Sequence, residues 1–317
     1  MLWEMRKMNY RKNKMERLSR VAHMYYEEDR TQGEIADKLH VSRPLVSRML
    51  REARDLGIVE IRVHRPAFDT DALLSRVCQR YGIQGGALIP DAESNSLFDH
   101  NLAQKLLEYI ETEQPESLGI GWGPVIGSLT SLLERVPPHQ SDIQVVCPLI
   151  GNSSVSYRRY HTDENVRVIA ESLCAKPKFL YTPAFPIDMQ ECNLLHATSH
   201  YRMMAAQWDH LDMAIVEIRE VTSAVDVDCP IPQDSRTVGH IVAHSYDANG
   251  RIIQPDPNCM VHIPVEKLSK CRQVIGLCAA DVSPRALAGA LRSGIVTHIF
   301  ARESLVDAVM ADKWNYA

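Results

Sequence analysis

Two short helices joined by a tight turn constrain this chain more than any other feature of its sequence. Thr31-Gln-Gly-Glu34 has the spacing of a capping box, in which the threonine and the glutamate satisfy each other's backbone amides. It predicts a helix over 32–39, and His40-Val41 then forms the turn. Ser42 has the side chain of an N-cap, and Pro44 suits the first turn of a second helix. The order of these signals predicts a helix-turn-helix.

The second helix, predicted over 43–56 and ended by Gly57, has an apolar and a polar face. The apolar positions are Leu45, Val46, Met49, Leu50 and Ala53. A helix that reads the major groove needs such a seam, with Arg and Ser donors near its N-terminus for base edges and phosphates. The alternative is an ordinary solvated face. We expect DNA contacts from Thr31, Gln32, Ser42, Arg43, Pro44, Ser47, Arg48 and Arg51.

The flanking segments complete a domain predicted over 1–66. Residues 16–28 have apolar side chains at helical spacing, which predicts a supporting helix. Residues 58–64 alternate apolar and polar side chains, which predicts a strand, the wing of a winged helix. Residues 1–14 are basic and predicted to be disordered. They are either an arm that touches phosphate or an inert extension.

The charge of the chain is unevenly distributed. Residues 1–66 carry 15 Lys or Arg against 10 Asp or Glu, a balance of +5, so the rest of this −5 chain carries −10. A basic head on an acidic body suggests that only the head meets a polyanion. No apolar run is long enough to span a membrane or act as a signal peptide, and the eight cysteines form no Cys-x-x-Cys pair. We expect a cytoplasmic protein with no membrane partner.

Residues 67–317 show strands alternating with helices. The strands are predicted over 86–90, 117–122, 142–151, 178–183, 212–218, 274–280 and 297–301. The helices are predicted over 69–82, 98–113, 124–136, 163–175, 190–211, 283–294 and 302–312. The stretch 219–263 is expected to be irregular, with a hairpin at 245–250. The alternation predicts a doubly wound, mostly parallel α/β sheet covered on both faces.

Ligands of such sheets bind at the carboxyl ends of the strands, where this chain carries glycines. Gly119-Ile-Gly-Trp-Gly123 lies between a predicted strand and a helix that begins near Pro124. Glycines there let backbone amides approach an anion, and the helix N-terminus adds partial positive charge. We expect an effector on Gly121, Trp122 and Gly123, with Gly151 and Asn152 nearby. The alternative is a tight turn needed for packing. No cofactor or metal is expected.

The chain resembles the SorC-type sugar-responsive regulators from about residue 16 to 312. The resemblance rests on Thr31-Gln-x-Glu-Ile-Ala, Val41-Ser-Arg-Pro-x-Val-Ser-Arg48, Gly119-x-Gly-Trp-Gly123, Val238-Gly239, Asp247-x-x-Gly250 and Ala290-Leu-Arg-x-Gly294. It implies a body folded like the sugar-phosphate isomerases and a phosphorylated sugar as effector. It also implies a homodimer or homotetramer on double-stranded operator DNA.

Three departures from the family pattern fall in the implied ligand cleft. Ala279-Ala280, then Ser283, replace a Gly-Gly pair and a lysine. Ala301-Arg302 replaces Thr-Asp, and Glu217-Ile218-Arg219 replaces Gly-Ile-Gly. Either the effector differs from the family's phosphosugar, for example an unphosphorylated sugar or polyol, or the pocket is partly degenerate. Arg302 either adds positive charge that favours an anion, or fills the cleft and pairs with a neighbouring acid.

Three functions remain open at this point. The leading one is a regulator of a carbohydrate-related operon, controlled by a sugar, polyol or sugar-phosphate effector. A ligand-blind DNA-binding regulator with a degenerate pocket is the second. The third is a phosphosugar isomerase or deaminase, which needs a placed general base and often a lysine. Because Ser283 stands in place of that lysine, we expect no enzymatic activity.

Overall fold

The computed structural model describes residues 15, 17–28, 30–55, 58–59, 68–155, 157–220, 234–254 and 259–311. Within-chain contacts divide the chain into two compact units, Met1–Ala67 and Phe68–Ala317. The predictions for residues 1–14, the C-cap at Gly57 and most of the wing at 58–64 lie outside the described residues.

The described part of the head contains three helices: α1 over 17–26, α2 (Gln32–Leu39) and α3 (Arg43–Asp55). They enclose a small apolar core. Leu18 and Val21 of α1 meet Ile35 of α2 and Val46 of α3, and all four side chains are at most 2% exposed. The predicted apolar seams of these helices therefore face one another, and the helix-turn-helix is confirmed.

The body alternates strands and helices as predicted. Its helices are α4 (Phe68–Tyr81), α5 (Asn95–Glu113), α6 (Pro124–Leu133), α7 (Thr162–Ser172), α8 (Met189–His196), α9 (Ser199–Trp208), α10 (Val265–Leu268), α11 (Pro284–Arg292) and α12 (Glu303–Met310). Its strands are β1 (Gly85–Ile89), β2 (Ser117–Ile120), β3 (Val145–Pro148), β4 (Lys176–Pro177), β5 (Met213–Arg219), β6 (Thr237–Ile241), β7 (His244–Asp247), β8 (Ile252–Ile253), β9 (Gln273–Cys278) and β10 (His298–Arg302).

The strands form one sheet in the order β1-β10-β9-β5-β2-β3-β4, and all neighbours in this path are parallel. In the sheet, β3 lies next to β2 on the side away from β5, and β9 lies next to β5 on the side away from β2. The winding therefore reverses between β2 and β5, and ligands of open α/β sheets bind at such a reversal. Every residue of β2, β5 and β9 is buried, as expected for strands with both faces covered.

Two regions differ from the sequence-based prediction. The strand expected over 178–183 is wrong: β4 ends at Pro177, Tyr181 has a φ of 53°, and the amides of Leu180 and Tyr181 donate to Asp163. A residue with positive φ cannot continue a strand, and amides bonded to a carboxylate are not free for a ladder.

The stretch expected to be irregular is more regular than predicted. It contains β6, which pairs antiparallel with Ile218 and Arg219 at the end of β5, and β7, which pairs with β6. The hairpin predicted at 245–250 is present: β7 pairs with β8, and the amide of Gly250 donates to the Asp247 carbonyl.

Candidate functional site

Two local features predicted from the sequence position the DNA-binding surface, and both are present in the structure: the capping box of α2 and the start of α3. The Thr31 amide donates to Glu34 Oε2 at 2.8 Å, and the Glu34 amide donates to Thr31 Oγ1 at 3.3 Å, which completes the capping box. His40 then takes a φ of 52° and turns the chain toward α3. The Ser42 carbonyl accepts from the amides of Leu45 and Val46, so α3 begins where the sequence predicted.

The two faces of α3 separate as expected. Val46, Met49, Leu50 and Ala53 are buried. The side chains exposed on the other side are Arg43, Pro44, Ser47, Arg48 and Arg51. Arginine and serine donors on an exposed helix face suit base edges and phosphate oxygens, whereas the buried face fixes the helix in place.

A concave region with a volume of about 670 Å³ adjoins the exposed face of α3. It is lined by Tyr25, Tyr26, Arg30, Thr31, Gln32, Gly33 and Arg43. Sequence reasoning missed the contribution of α1, although the adjacent tyrosines and Arg30 were a signal. The Thr31 hydroxyl also serves the cap, since it donates to Glu34 Oε2 at 2.9 Å. Thr31 and Gln32 both line the concave region, and their contacts with DNA stay predictions.

The glycine turn of the body lies at the reversal between β2 and β5, but its amides are already used. The Gly121 amide donates to the Ile215 carbonyl at 2.9 Å, and the Gly123 amide donates to the Arg159 carbonyl at 3.2 Å. The Trp122 side chain is 2% exposed and packs beside Tyr160. The expectation that Gly121 and Gly123 hold an effector through their amides is therefore corrected.

A carboxylate of the same chain occupies the start of α6. Glu217 Oε1 accepts from the Ile126 amide at 2.9 Å. Gly123 has a φ of 136°, and a Cβ at this position would lie 2.2 Å from Glu217 Oε2. The glycine is required here because it makes room for Glu217. We call Gly121–Gly123, the first turn of α6, Glu217 and Arg219 the switch-point site.

The switch-point site is buried and charged. Burial raises the pKa of Glu217 to about 8, against the opposing effects of Arg219 and the Ile126 amide. Arg219 Nη1 lies 3.9 Å from Glu217 Oε2, and both side chains are at most 4% exposed. On α5, burial raises the pKa of Asp99 to about 6, although Asp99 accepts from the Ala280 amide at 3.1 Å. Arg219 lies beside Glu217, and Asp99 acts on Glu217 electrostatically, an arrangement that sequence reasoning did not foresee.

Gly151 and Asn152 are engaged within the protein. Asn152 Nδ2 donates to Asp163 Oδ2 at 2.8 Å, and the Asp163 amide donates to Asn152 Oδ1 at 3.1 Å. The Gly151 amide donates to the Val261 carbonyl at 2.9 Å. The polar groups expected to face an effector here hold neighbouring loops together, which corrects the expectation.

Arg302 is partly paired, and its Nε and Nη2 are buried without a hydrogen-bond partner among the described residues. Its Nη1 lies 3.4 Å from Asp91 Oδ1, and its guanidinium lies 4.5 Å from the centre of the Phe98 ring. The contact with Asp91 fits the role in which Arg302 pairs with an acid, and the two unpartnered nitrogens fit the role in which it binds an anion, so both roles stay open.

A second cavity, of about 450 Å³, lies beside α5 and α6. The polar residues of its lining include Ser96, His100, Ser128, Ser131, Arg135, Arg158 and Arg159. Arg158 is paired with Glu134, and Arg159 lies over the Tyr157 ring at 5.2 Å. Across the described residues, no group of three or more His, Cys, Asp or Glu side chains is placed to hold a metal ion. None of the described helices has the length and apolar character needed to cross a membrane.

Comparisons with known proteins agree with this architecture. The family model described as "Putative sugar-binding domain" matches residues 65–311, and the model for sigma-70 region 4 matches residues 16–55. The sorbitol operon regulator of Klebsiella pneumoniae is 24% identical over 311 residues, which cover 92% of this chain and 96% of that protein. The deoxyribonucleoside regulator of Bacillus subtilis is 24% identical over 242 residues, 73% of this chain and 76% of that protein.

Solved structures establish the same fold. The full-length sorbitol operon regulator SorC of Klebsiella pneumoniae aligns with a TM-score of 0.65 at 23% identity, covering 94% of this chain and 99% of that one. A transcriptional regulator from Streptococcus pneumoniae aligns with a TM-score of 0.69 at 15% identity, covering 78% of this chain and 98% of that one. Because the family model spans most of its length, this chain belongs to the sugar-binding-domain family and is a SorC-type regulator.

Proposed function

We propose that this chain is a DNA-binding transcriptional regulator of a carbohydrate-related operon, controlled by a small polyhydroxyl effector in its body. The observation that carries the proposal is the exposed Arg and Ser face of α3, fixed by the buried seam behind it, in a chain whose remainder is a sugar-binding domain. The related regulators named above support the coarse assignment.

In the proposed complex α3 enters the major groove of double-stranded operator DNA. Arg43 and Ser47 lie in its first turns and are proposed to contact base edges, with Ser42 and Pro44 at its start. Thr31, Gln32, Arg48 and Arg51 are proposed to position the phosphate backbone. These contacts set register and affinity but carry no sequence information directly. Tyr26 and Arg30 extend the same concave surface and are added to the phosphate contacts.

Specific binding usually recruits two half-sites, so we propose a homodimer or homotetramer with half-sites spaced by roughly 34 Å or a multiple of it. Large apolar side chains of the body are left in solvent, which supports an interface between copies. Ile187 is 94% exposed, Tyr181 70%, Leu194 64% and Met203 63%. Effector binding would then bias two arrangements of the paired heads. The proposed place of action is the cytoplasm.

The test is binding of the full chain to DNA from its own upstream region. Arg43→Ala should cost about 1–3 kcal/mol of specific binding and relax sequence preference, because a bidentate base contact is lost. Arg76→Ala is the matched control, since it removes an exposed arginine from α4 of the body. Equal specific affinity of Arg43→Ala and the control at fixed salt would refute the placement of α3.

A ligand-blind regulator is the second candidate, and one observation favours it. Glu217 and Arg219 are buried beside the glycine turn, and Arg302 lies 3.4 Å from Asp91. Enzymatic turnover is not proposed. Glu217 is committed to the Ile126 amide and Asp99 to the Ala280 amide, so neither acid is placed as a free general base.

A further inference from the structure

The second cavity of the body, of about 450 Å³, lies on the side of α6 that faces away from the core. Val125, Ile126 and Leu129 of this helix are buried. Helical spacing turns another row of residues outward, and the lining includes Pro124, Gly127, Ser128, Ser131 and, just beyond the helix, Arg135. Residues of α5 and the segment 157–159 complete it. We call this space the arginine cavity, and its volume is within the range of sites that hold small molecules, roughly 300–1,000 Å³.

The lining of the arginine cavity carries positive charge. Arg135, Arg158 and Arg159 supply three guanidinium groups, and no Asp or Glu is among the described residues that line the cavity. Asp99 interacts electrostatically with Arg159 but lies outside the lining. A guanidinium keeps its charge at any ordinary pH, and its planar N–H groups match the oxygens of a phosphate. The cavity therefore favours an anion without the titration of a buried group.

Arg159 is held in place by ring contacts and close packing. Its guanidinium carbon lies 5.2 Å from the centre of the Tyr157 ring and 5.5 Å from that of the Tyr160 ring. A Cβ on Gly127 would lie 2.7 Å from Arg159 Cβ, so this glycine lets the side chain pack against α6. Arg159 Nε is buried and has no hydrogen-bond partner among the described residues. Because a partly buried charge without a partner is costly, an anion beside this guanidinium is stabilising.

The three arginines differ in their ion pairs. Arg158 is neutralised in part, because its Nη1 donates to Glu134 Oε2 at 3.0 Å and its Nη2 lies 3.4 Å from Glu164 Oε1. Among the described residues, no carboxylate forms an ion pair with Arg135 or Arg159. Two guanidinium groups of the lining are thus without a counter-ion of their own, which indicates that the cavity accepts an anionic group from a ligand.

We propose that the arginine cavity binds a phosphorylated small molecule, with its phosphate on Arg135 and Arg159 and its polar remainder on the hydroxyl groups of α5 and α6. A phosphate ester carries up to about two negative charges near neutral pH and has three acceptor oxygens, which two guanidinium groups can share. The hydroxyl groups of Ser96, Ser128 and Ser131 suit the hydroxyl groups of such a compound as donors or acceptors. This site goes beyond the proposed function, because its occupancy does not require operator DNA.

Glycerol 3-phosphate is the probe, titrated into the full chain by calorimetry at neutral pH and constant ionic strength with no DNA present. We expect saturable binding by the wild type and no saturable binding of glycerol. Arg135→Gln and Arg159→Gln should each weaken the affinity for glycerol 3-phosphate by about tenfold or more, because each removes a charge-assisted contact. Arg202→Gln is the matched control. It removes an exposed arginine of α9 outside the cavity, and its affinity should equal that of the wild type.

Glu134→Gln gives a test of opposite sign. It removes the acid that pairs with Arg158 at the end of α6, outside the lining, so glycerol 3-phosphate should bind severalfold more tightly than to the wild type. Glu108→Gln is its control, since it removes an exposed acid of α5 that pairs with Lys105. This control should bind as the wild type does.

Absence of saturable binding to the wild type would overturn the proposal. So would a folded Arg135→Gln or Arg159→Gln that binds glycerol 3-phosphate as tightly as Arg202→Gln, or a Glu134→Gln that binds it no more tightly than Glu108→Gln. If Arg159→Gln does not fold, Arg135→Gln decides, because Arg135 is exposed and its loss leaves the packing of α6 unchanged. Failure of operator binding would count against the proposed function without affecting this result.

Discussion

Replacing Glu217 by glutamine should change how the stability of the body depends on pH. Burial raises the pKa of Glu217 to about 8 in the folded protein, from an ordinary value of 4.5. Between these values the folded state holds one more proton than the unfolded state, so the free energy of unfolding falls as pH rises. One proton corresponds to a slope of about 1.4 kcal/mol per pH unit.

The substitution isolates this charge. Glutamine can still accept from the Ile126 amide, so the contact that fixes the side chain is kept. Relative to Glu217→Gln, the wild type should therefore lose about 3 kcal/mol of stability between pH 5 and pH 7.5. The groups that act on Glu217 are Arg219 on the same strand and Asp99 on α5. Because the pKa of Asp99 is itself raised, Asp99→Asn is measured in parallel.

The assay is denaturant unfolding of the full chain at four pH values from 5 to 7.5, followed by tryptophan fluorescence. Trp122 is buried next to Gly123 and reports on this part of the sheet. The reasoning is refuted if the difference between the unfolding free energies of wild type and Glu217→Gln stays constant across this pH range. It is also refuted if the wild type gains stability over the variant as pH rises.

Three further predictions follow from the head and the body. Arg51→Ala should weaken binding to all DNA sequences alike and reduce the slope of log affinity against log salt by about one, because one phosphate contact is lost. Thr31→Ala should cost the head about 1 kcal/mol in thermal unfolding, since the Glu34 amide loses its cap. Ile187→Asp with Leu194→Asp should lower the oligomeric state seen in sedimentation and weaken operator binding, if these exposed side chains form the interface between copies.

The helix-turn-helix was predictable because its signals are local. The capping box at Thr31 and the apolar seam through Val46 act within one or two turns of helix, and the structure realises both. The alternation of strands and helices was predictable for the same reason. Hydrophobic periodicity and glycine or proline at the ends identify each element without knowledge of its neighbours.

The switch-point site was not predictable, because its key contact joins residues far apart in the chain. The glycine turn has the composition of an anion site, and nothing near Gly123 indicates that Glu217 reaches it from β5. The failed strand over 178–183 has a similar cause. Its residues favour a strand, but the amides of Leu180 and Tyr181 donate hydrogen bonds to the Asp163 carboxylate of α7. Tertiary contacts override local propensity in both cases.

The most direct test of the account is operator affinity of the full chain measured with a panel of neutral sugars and polyols and their phosphate esters. Fluorescence anisotropy with upstream DNA at fixed salt gives the apparent Kd with and without each compound. The account predicts that at least one sugar, polyol or sugar phosphate changes the Kd severalfold. No response to any compound would contradict effector control and favour a ligand-blind regulator.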